Sequence, residues 1–420
     1  MAGEVNLQCT LNRPYLPAAA TQQLVYLFIE ARPTEAVAQA QMPLNFSLVL
    51  DHSGSMSGAK LSNLKEAVKL VLDRMQPEDY IALTIFDDRA QVIAPSQPVV
   101  HREYLKSLVE GIRDGGGTEM SRGMRLGVDE ARKALDARRV SRLLLLTDGQ
   151  THGDEGECRQ ISAEAGRLGL PILALGLGED WNADLLDAIA RESGVNGFSD
   201  LIEAPYQMQQ VFQRTLEGMQ ATVVRHAQLI LRVVGGVTPR HVWRVIPLIS
   251  QITPAAQSER DLQMELGDLE AGQGQALLVE LLVHPRPVGR YRIAQAEISY
   301  DAPGAHIAGE RVRSDVMLEI TENAALLQQH NPEIMNLVEK VTTFRLQTRA
   351  LEDARAGDIP GATRKLRAAA TRLLDMGEAE LAAAAEEEAR RLEQGQEMSA
   401  AGAKKLQYGT RKLTQRLDQP

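Results

Sequence analysis

The chain has 420 residues, of which 44% are hydrophobic and 24% are charged, a composition typical of a globular protein with two or three domains. Its formal net charge of -10 argues against nucleic acid and anionic membranes as partners, because both attract basic surfaces. With only two cysteines, no run of about 18 apolar residues and no export signal at the N-terminus, we expect neither a disulfide framework nor a membrane span, but a cytoplasmic protein.

Residues 1 to 42 contain two candidate strands, VNLQCTL and LVYLFIE. Two strands are too few to form a domain, since an isolated hairpin is marginally stable at best. We therefore expect this segment to pair with strands that come later in the chain.

Residues 43 to 205 alternate short apolar runs with longer segments of helical spacing. Continuous apolar runs of this length are typical of strands that are buried on both faces. Strand alternating with helix predicts a doubly wound, mostly parallel α/β sheet. The candidate strands are LNFSLVLD (44–51), DYIALTIF (79–86), AQVIAPS (90–96), SRLLLLTD (141–148) and PILALGLG (171–178), and the candidate helices cover about 61–75, 120–136, 159–168 and 182–193.

A connecting helix is predicted at about 206–221, and residues 222–322 then change to alternation with period two, as in AQLILRVV and RYRIAQAEISY. This pattern, interrupted by glycine and proline turns, predicts an antiparallel β-sandwich. Residues 323–420 are helical in pattern, and we favour a bundle or hairpins over a repeat array because no second repeat copy is evident. The predicted architecture is an α/β domain inserted in a β-sandwich, followed by a helical region.

The segment Asp51-His52-Ser53-Gly54-Ser55 follows the first buried strand directly. Ligand sites of open α/β sheets lie at the carboxyl ends of strands, so this loop is well placed to bind a ligand. One carboxylate and two hydroxyls offer hard oxygen atoms. Such atoms suit Mg²⁺, Mn²⁺ or Ca²⁺ better than zinc or copper.

Two further loops carry matching groups. Thr118 follows three glycines just before a predicted helix, and Asp148 ends the strand LLLLTD. Each of the three motifs could instead be structural, as a helix cap, a helix entry or a turn. Their common position at strand ends and their order favour one shared metal site over three separate coincidences.

In this order the three motifs resemble the metal-ion-dependent adhesion site of the von Willebrand factor type A family, in a bacterial intracellular form, over residues 43–205. No position of the family pattern departs here. The resemblance implies that Ser53, Ser55 and Thr118 bind the cation directly when a partner is bound. It implies that Asp51 and Asp148 bind it directly or through water. Mg²⁺ prefers six oxygen ligands, so an Asp or Glu from a partner protein would complete the shell.

Around this site we expect a group of exposed loop residues that select the partner. Two of them are histidines, and we interpret these as rim residues because the oxygen ligands already supply the protein's share of the shell. The predicted rim consists of His52, Met56, Glu119, Met120, Gln150, Thr151 and His152.

Three other functions are weighed against a binding module. A metal-dependent hydrolase is disfavoured because no G-x-S-x-G motif occurs and Ala59 stands where a phosphate loop needs glycine before Lys60. We therefore predict a non-enzyme without catalytic residues. The second alternative is an accessory subunit of a separate AAA+ ATPase, of MoxR or chelatase type, which is a more specific form of partner binding. The third alternative is a structural scaffold with a vestigial metal site.

Overall fold

The structure is a computed structural model that describes residues 4–38, 41–151, 153–256, 258 and 260–415. The chain forms two compact units. One, here called the α/β unit, is Ala40–Thr222, and the other, the sandwich unit, combines Met1–Gln39 with Val223–Pro420. No helix among the described residues is both long enough and apolar enough to cross a membrane.

The elements are numbered in chain order. The strands are β1 (Val5–Leu11), β2 (Tyr15–Pro17), β3 (Gln23–Pro33), β4 (Leu44–Asp51), β5 (Tyr80–Phe86), β6 (Ala90–Pro98), β7 (Val140–Thr147), β8 (Ile172–Leu177), β9 (Phe198–Ile202), β10 (Thr222–Val233), β11 (Val237–Ile246), β12 (Ser250–Ile252), β13 (Ala255–Ala256), β14 (Asp261–Glu270), β15 (Gln275–Val283), β16 (Gly289–Ala302) and β17 (Ile307–Thr321). The helices are α1 (Glu35–Ala38), α2 (Ala59–Arg74), α3 (Arg102–Glu110), α4 (Met120–Arg132), α5 (Glu155–Arg167), α6 (Ala183–Glu192), α7 (Met208–Ala221), α8 (Ala324–Leu327), α9 (Pro332–Ala356), α10 (Ile359–Asp375), α11 (Ala379–Glu393) and α12 (Ala400–Arg411).

The sheet of the α/β unit has the strand order β6-β5-β4-β7-β8-β9. All neighbours pair in parallel except β5 and β6, which are antiparallel. Every residue of the central strands β4 and β7 is buried, as their apolar sequences predict for a sheet covered on both faces. This arrangement brings the carboxyl ends of β4 and β7 side by side.

Two elements of this unit are absent from the sequence analysis. The helix α3 spans only nine residues, and the edge strand β9, FSDLI, has a polar interior. Short elements give too few residues to establish a period. The helix α7, which the sequence analysis treats as a connector, is part of the α/β unit because its Met208, Phe212 and Leu216 lie in the unit's hydrophobic core.

Two antiparallel sheets form the sandwich unit. One has the order β1-β3-β15-β11-β12, and the other β13-β14-β10-β16-β17-β2, in which β2 pairs in parallel with β17. Leu27 of β3, Leu229 of β10 and Ile298 of β16 share one core between the sheets. The strand β3 pairs with both β1 and β15, so the segment before the α/β unit and the segment after it build the same sheet.

The C-terminal helices α9 to α12 cover the outer face of the five-stranded sheet. Trp243 and Leu278 of that sheet share a hydrophobic core with Ile334 and Leu337 of α9 and Leu366 of α10. The ring of Phe344 meets that of Trp243 edge to face, with centroids 6.1 Å apart. The strand β15 is therefore covered on both faces, which explains its nearly continuous apolar sequence.

On the outer face of the other sheet, Glu297 is only 3% exposed and is paired with arginines from both neighbouring strands. Arg232 on β10 donates to it at 3.3 Å, and Arg313 on β17 donates to its other oxygen. The pKa of Glu297 lies below its ordinary value, and the hydrogen bond from Arg313 is the largest cause of this shift.

We expect Glu297→Gln to destabilise the sandwich unit by about 1 kcal/mol at pH 7, since the arginines are partly exposed and solvent screens the pair. A carboxyl group whose pKa is lower in the folded than in the unfolded state stabilises the folded protein at pH values above its unfolded-state pKa of about 4.3. This stabilisation is lost as the pH falls through the folded-state pKa. The difference from the native protein should therefore disappear in acid. Urea unfolding followed by fluorescence at pH 7 and in acid measures it, with the exposed Glu310→Gln as control. A difference independent of pH would contradict the assignment.

Candidate metal centre

Three loops meet at the carboxyl edge of the parallel sheet, after β4, after β7 and before α4. Main-chain hydrogen bonds tie the first loop to the loop before α4. The Gly115 N–H donates to the His52 carbonyl at 3.0 Å, and the Gly54 N–H donates to the Gly116 carbonyl at 3.2 Å. Gly116 has φ +69°, and an added Cβ would lie 2.7 Å from carboxylate oxygens of Asp87 and Asp88. Only glycine fits at that position.

Asp51 is the last residue of β4, and its side chain is completely buried. One carboxylate oxygen accepts the Ser53 N–H at 2.8 Å, and the other accepts the Thr147 hydroxyl at 2.6 Å. Burial is the main cause of a raised pKa of Asp51, and the neighbouring Asp148 carboxylate raises it further. A buried carboxylate beside a second one is stabilised by positive charge nearby, which a bound cation would supply.

A chain of hydrogen bonds connects the hydroxyls of the first loop to Asp148. The Ser53 and Ser55 hydroxyl oxygens lie 3.1 Å apart, and the Ser55 hydroxyl donates to one oxygen of Asp148 at 2.6 Å. The other oxygen of Asp148 accepts from the Lys60 ammonium group. The structure thus brings Asp51, Ser53, Ser55 and Asp148 into one cluster.

Thr118 lies at the edge of this cluster. Gly149, which follows Asp148, lies near the hydroxyls of Ser55 and Thr118. A Cβ added at Gly149 would lie 3.8 Å from Ser55 Oγ and 3.8 Å from Thr118 Oγ1. The Thr118 carbonyl oxygen lies 3.3 Å from the Thr151 hydroxyl oxygen. The hydroxyl of Thr118 therefore reaches the same edge as that of Ser55, while its backbone is tied to the loop after β7.

A second group of buried residues supports the site, and their roles are not predictable from the sequence alone. Asp154 accepts the Ser121 N–H at 2.7 Å and also the Thr151 hydroxyl, whose oxygen accepts the Met120 N–H at 3.2 Å. This network joins the first turn of α4 to the loop before α5. The sequence signal for this group is a threonine and an aspartate just before a helix. Both residue types commonly cap helices, so the pattern alone does not indicate a role at the site.

The predicted rim is wrong for three residues. Met56 is 0%, Met120 1% and Thr151 3% exposed. Met56 ends a 3₁₀ turn that directs its side chain into the hydrophobic core, and Thr151 is buried by its hydrogen bonds to α4 and Asp154. His52 is half-buried, and its Nδ1 donates to the Arg113 carbonyl at 2.7 Å. His152 lies outside the described residues.

The donor set fits a hard divalent cation. It contains two carboxylates and three hydroxyls, and all of their donor atoms are oxygen. Among the described residues, no three His, Cys, Asp or Glu side chains are placed to share a metal ion, so histidine and cysteine do not add soft ligands here. Two carboxylates would only balance the charge of one divalent ion, and the hydroxyls add no negative charge. The ion would therefore remain electrophilic towards an incoming anion.

Two family models match the chain. Residues 45–214 match the von Willebrand factor type A domain, and residues 332–416 match the domain described as "Sll0103-like, C-terminal alpha-helical domain". The chain therefore contains a von Willebrand factor type A domain, a type that mediates protein–protein interactions, followed by an all-helical domain. The second match covers α9 to α12.

Similar proteins span the whole chain. "Uncharacterized protein sll0103" of Synechocystis sp. is 29% identical over 409 residues, which are 96% of this chain and 95% of that protein. The solved structure "von Willebrand factor type A from Catenulispora acidiphila" covers 97% of this chain and 96% of its own, with a TM-score of 0.73 and 19% identity. The structure of the "ArnB paralog VWA2 from Sulfolobus acidocaldarius" covers 98% and 99%, with a TM-score of 0.55 and 11% identity. The predicted fold class is confirmed.

Proposed function

We propose that the loops bearing Asp51, Ser53, Ser55, Thr118 and Asp148 bind one divalent cation, and that this cation binds an Asp or Glu side chain of a partner protein. The observation that carries the proposal is the hydrogen-bonded cluster of Asp51, Ser53, Ser55 and Asp148 at the carboxyl edge of the sheet. Mg²⁺ is the expected ion because every ligand is a hard oxygen, with Mn²⁺ or Ca²⁺ as substitutes.

The chemistry favours binding of a carboxylate over catalysis. A cation at this edge would supply positive charge for an incoming anion, and Asp51 and Asp148 would hold the ion or its waters. The three hydroxyls are neutral ligands, so they coordinate the ion without reducing its charge. The resulting module would be a cation-dependent adaptor, with specificity set by the residues that surround the loops.

We expect the native protein to bind one Mn²⁺ per chain and the double variant Asp51→Ala, Asp148→Ala to bind none at the same concentration. The double variant lacks both anionic ligands, so the remaining hydroxyls cannot offset the dehydration of the ion. Calorimetry or the resonance signal of free Mn²⁺ measures the stoichiometry.

A control separates the site from the general acidity of the surface. Asp88→Ala with Asp114→Ala removes two exposed carboxylates from neighbouring loops and causes the same change in net charge. This control should bind Mn²⁺ like the native protein. Equal binding by the native protein and the Asp51, Asp148 double variant would refute the proposed site. Capture of partners from a lysate with and without EDTA then tests whether recognition depends on the cation.

A further inference from the structure

Lys60 occupies a position that helix electrostatics disfavour. It is the second residue of α2, whose first turn contains no acidic residue and whose N-cap, Gly58, makes no side-chain capping bond. The N-terminus of a helix carries a partial positive charge, so a lysine there is repelled unless another group compensates. The compensating group in this structure is a candidate metal ligand.

The Lys60 ammonium is paired with one oxygen of Asp148, and the Ser55 hydroxyl donates to the other at 2.6 Å. Both oxygens that Asp148 could offer a metal ion are thus engaged. The side chain of Asp148 is fully buried, whereas that of Lys60 is 33% exposed. The carboxylate is fixed in place, while the long lysine stem can carry its ammonium out into solvent.

We propose that Lys60 is an internal counter-ion that competes with the divalent cation for Asp148 and thereby lowers the affinity of the site for metal. The inference rests on the proposed function. Asp51 and Asp148 with Lys60 carry a net charge of -1, and adding a divalent ion with Lys60 still in place would make it +1. When the metal ion enters, the Lys60 ammonium must therefore either leave Asp148 or stay beside the ion and be repelled by its charge.

The test compares Mn²⁺ affinity in Lys60→Met, Lys60→Arg and the native protein. Methionine keeps the length of the side chain but removes its charge, so Lys60→Met should bind Mn²⁺ more tightly by roughly two- to fivefold, the scale of one partly exposed charge pair. Lys60→Arg retains the charge and should stay near the native affinity. The control is Lys65→Met on the same helix, because Lys65 contacts the Glu110 carbonyl and none of the candidate ligands.

A measurement on the native protein does not depend on the variants folding. At fixed pH, the rate at which an amine-acetylating reagent modifies Lys60 is followed by mass spectrometry with and without Mn²⁺, relative to Lys65. Competition predicts faster modification of Lys60 when the metal is present, because the ammonium has been displaced from Asp148. An unchanged or slower rate would overturn the inference.

The outcomes separate the two proposals. If the native protein binds Mn²⁺ and Lys60→Met binds it equally or more weakly, the inference fails while the metal site stands. If only Lys60→Met binds, the competition is confirmed in a stronger form. If neither protein binds Mn²⁺, both the proposed function and the inference fail.

Discussion

Leu27→Ala is expected to lower the free energy of unfolding of the sandwich unit by ~2–5 kcal/mol, the range for shortening a fully buried leucine. Leu27 is 0% exposed and lies on β3, in the core shared by both sheets. Its strand precedes the α/β unit in the chain but pairs with β15, which follows it. A cavity there removes the packing contacts that Leu27 makes in this core, and the dense packing leaves little room for relaxation.

The two tryptophans make the measurement selective. The chain has only Trp181, in the α/β unit, and Trp243, in the sandwich unit. In a Trp181→Phe background, fluorescence during urea unfolding reports the sandwich unit alone. The matched control is Leu24→Ala on the same strand, because Leu24 is 44% exposed and should change stability by at most a few tenths of a kcal/mol. Equal effects of the two substitutions would show that β3 is not part of this core.

Gly127→Ala is expected to destabilise the α/β unit by ~1–3 kcal/mol, although alanine is the better helix former. A Cβ at Gly127 would lie 2.2 Å from Val49 Cγ2 on β4 and 3.2 Å from Leu143 Cδ1 on β7. Val49 is β-branched and completely buried, so its side chain has little room to rotate and we expect the helix α4 to move away from the sheet. Since Thr118 lies two residues before α4, the same shift should weaken Mn²⁺ binding.

The control for this prediction is the same substitution in another helix of the unit. Gly156→Ala on α5 places its Cβ in open space, so it should leave stability unchanged or slightly increased. Urea unfolding in a Trp243→Phe background reports the α/β unit through Trp181. A neutral or stabilising effect of Gly127→Ala would mean that α4 is not in close contact with the sheet.

The parallel sheet and the candidate ligands were predictable because each depends on local patterns. The apolar runs that became β4 and β7 are buried over their whole length, and a polar group at the end of a parallel strand must lie at the carboxyl edge of the sheet. Asp51 and Asp148 end or follow these adjacent strands, so their proximity follows from strand order. The alternation before and after the α/β unit likewise predicted the sandwich.

Other features depend on contacts between distant segments, which a local pattern does not encode. Lys60 has the ordinary spacing of a solvent-exposed residue at the start of a helix, and its contact with Asp148 joins positions 88 residues apart. Met56 and Thr151 were predicted to be exposed because both lie in loops, but a 3₁₀ turn and a hydrogen bond to Asp154 bury them. Composition, periodicity and motif order therefore determined the layers and the candidate donor atoms. Three-dimensional packing decided which side chains face the site, because burial depends on neighbours that are remote in sequence.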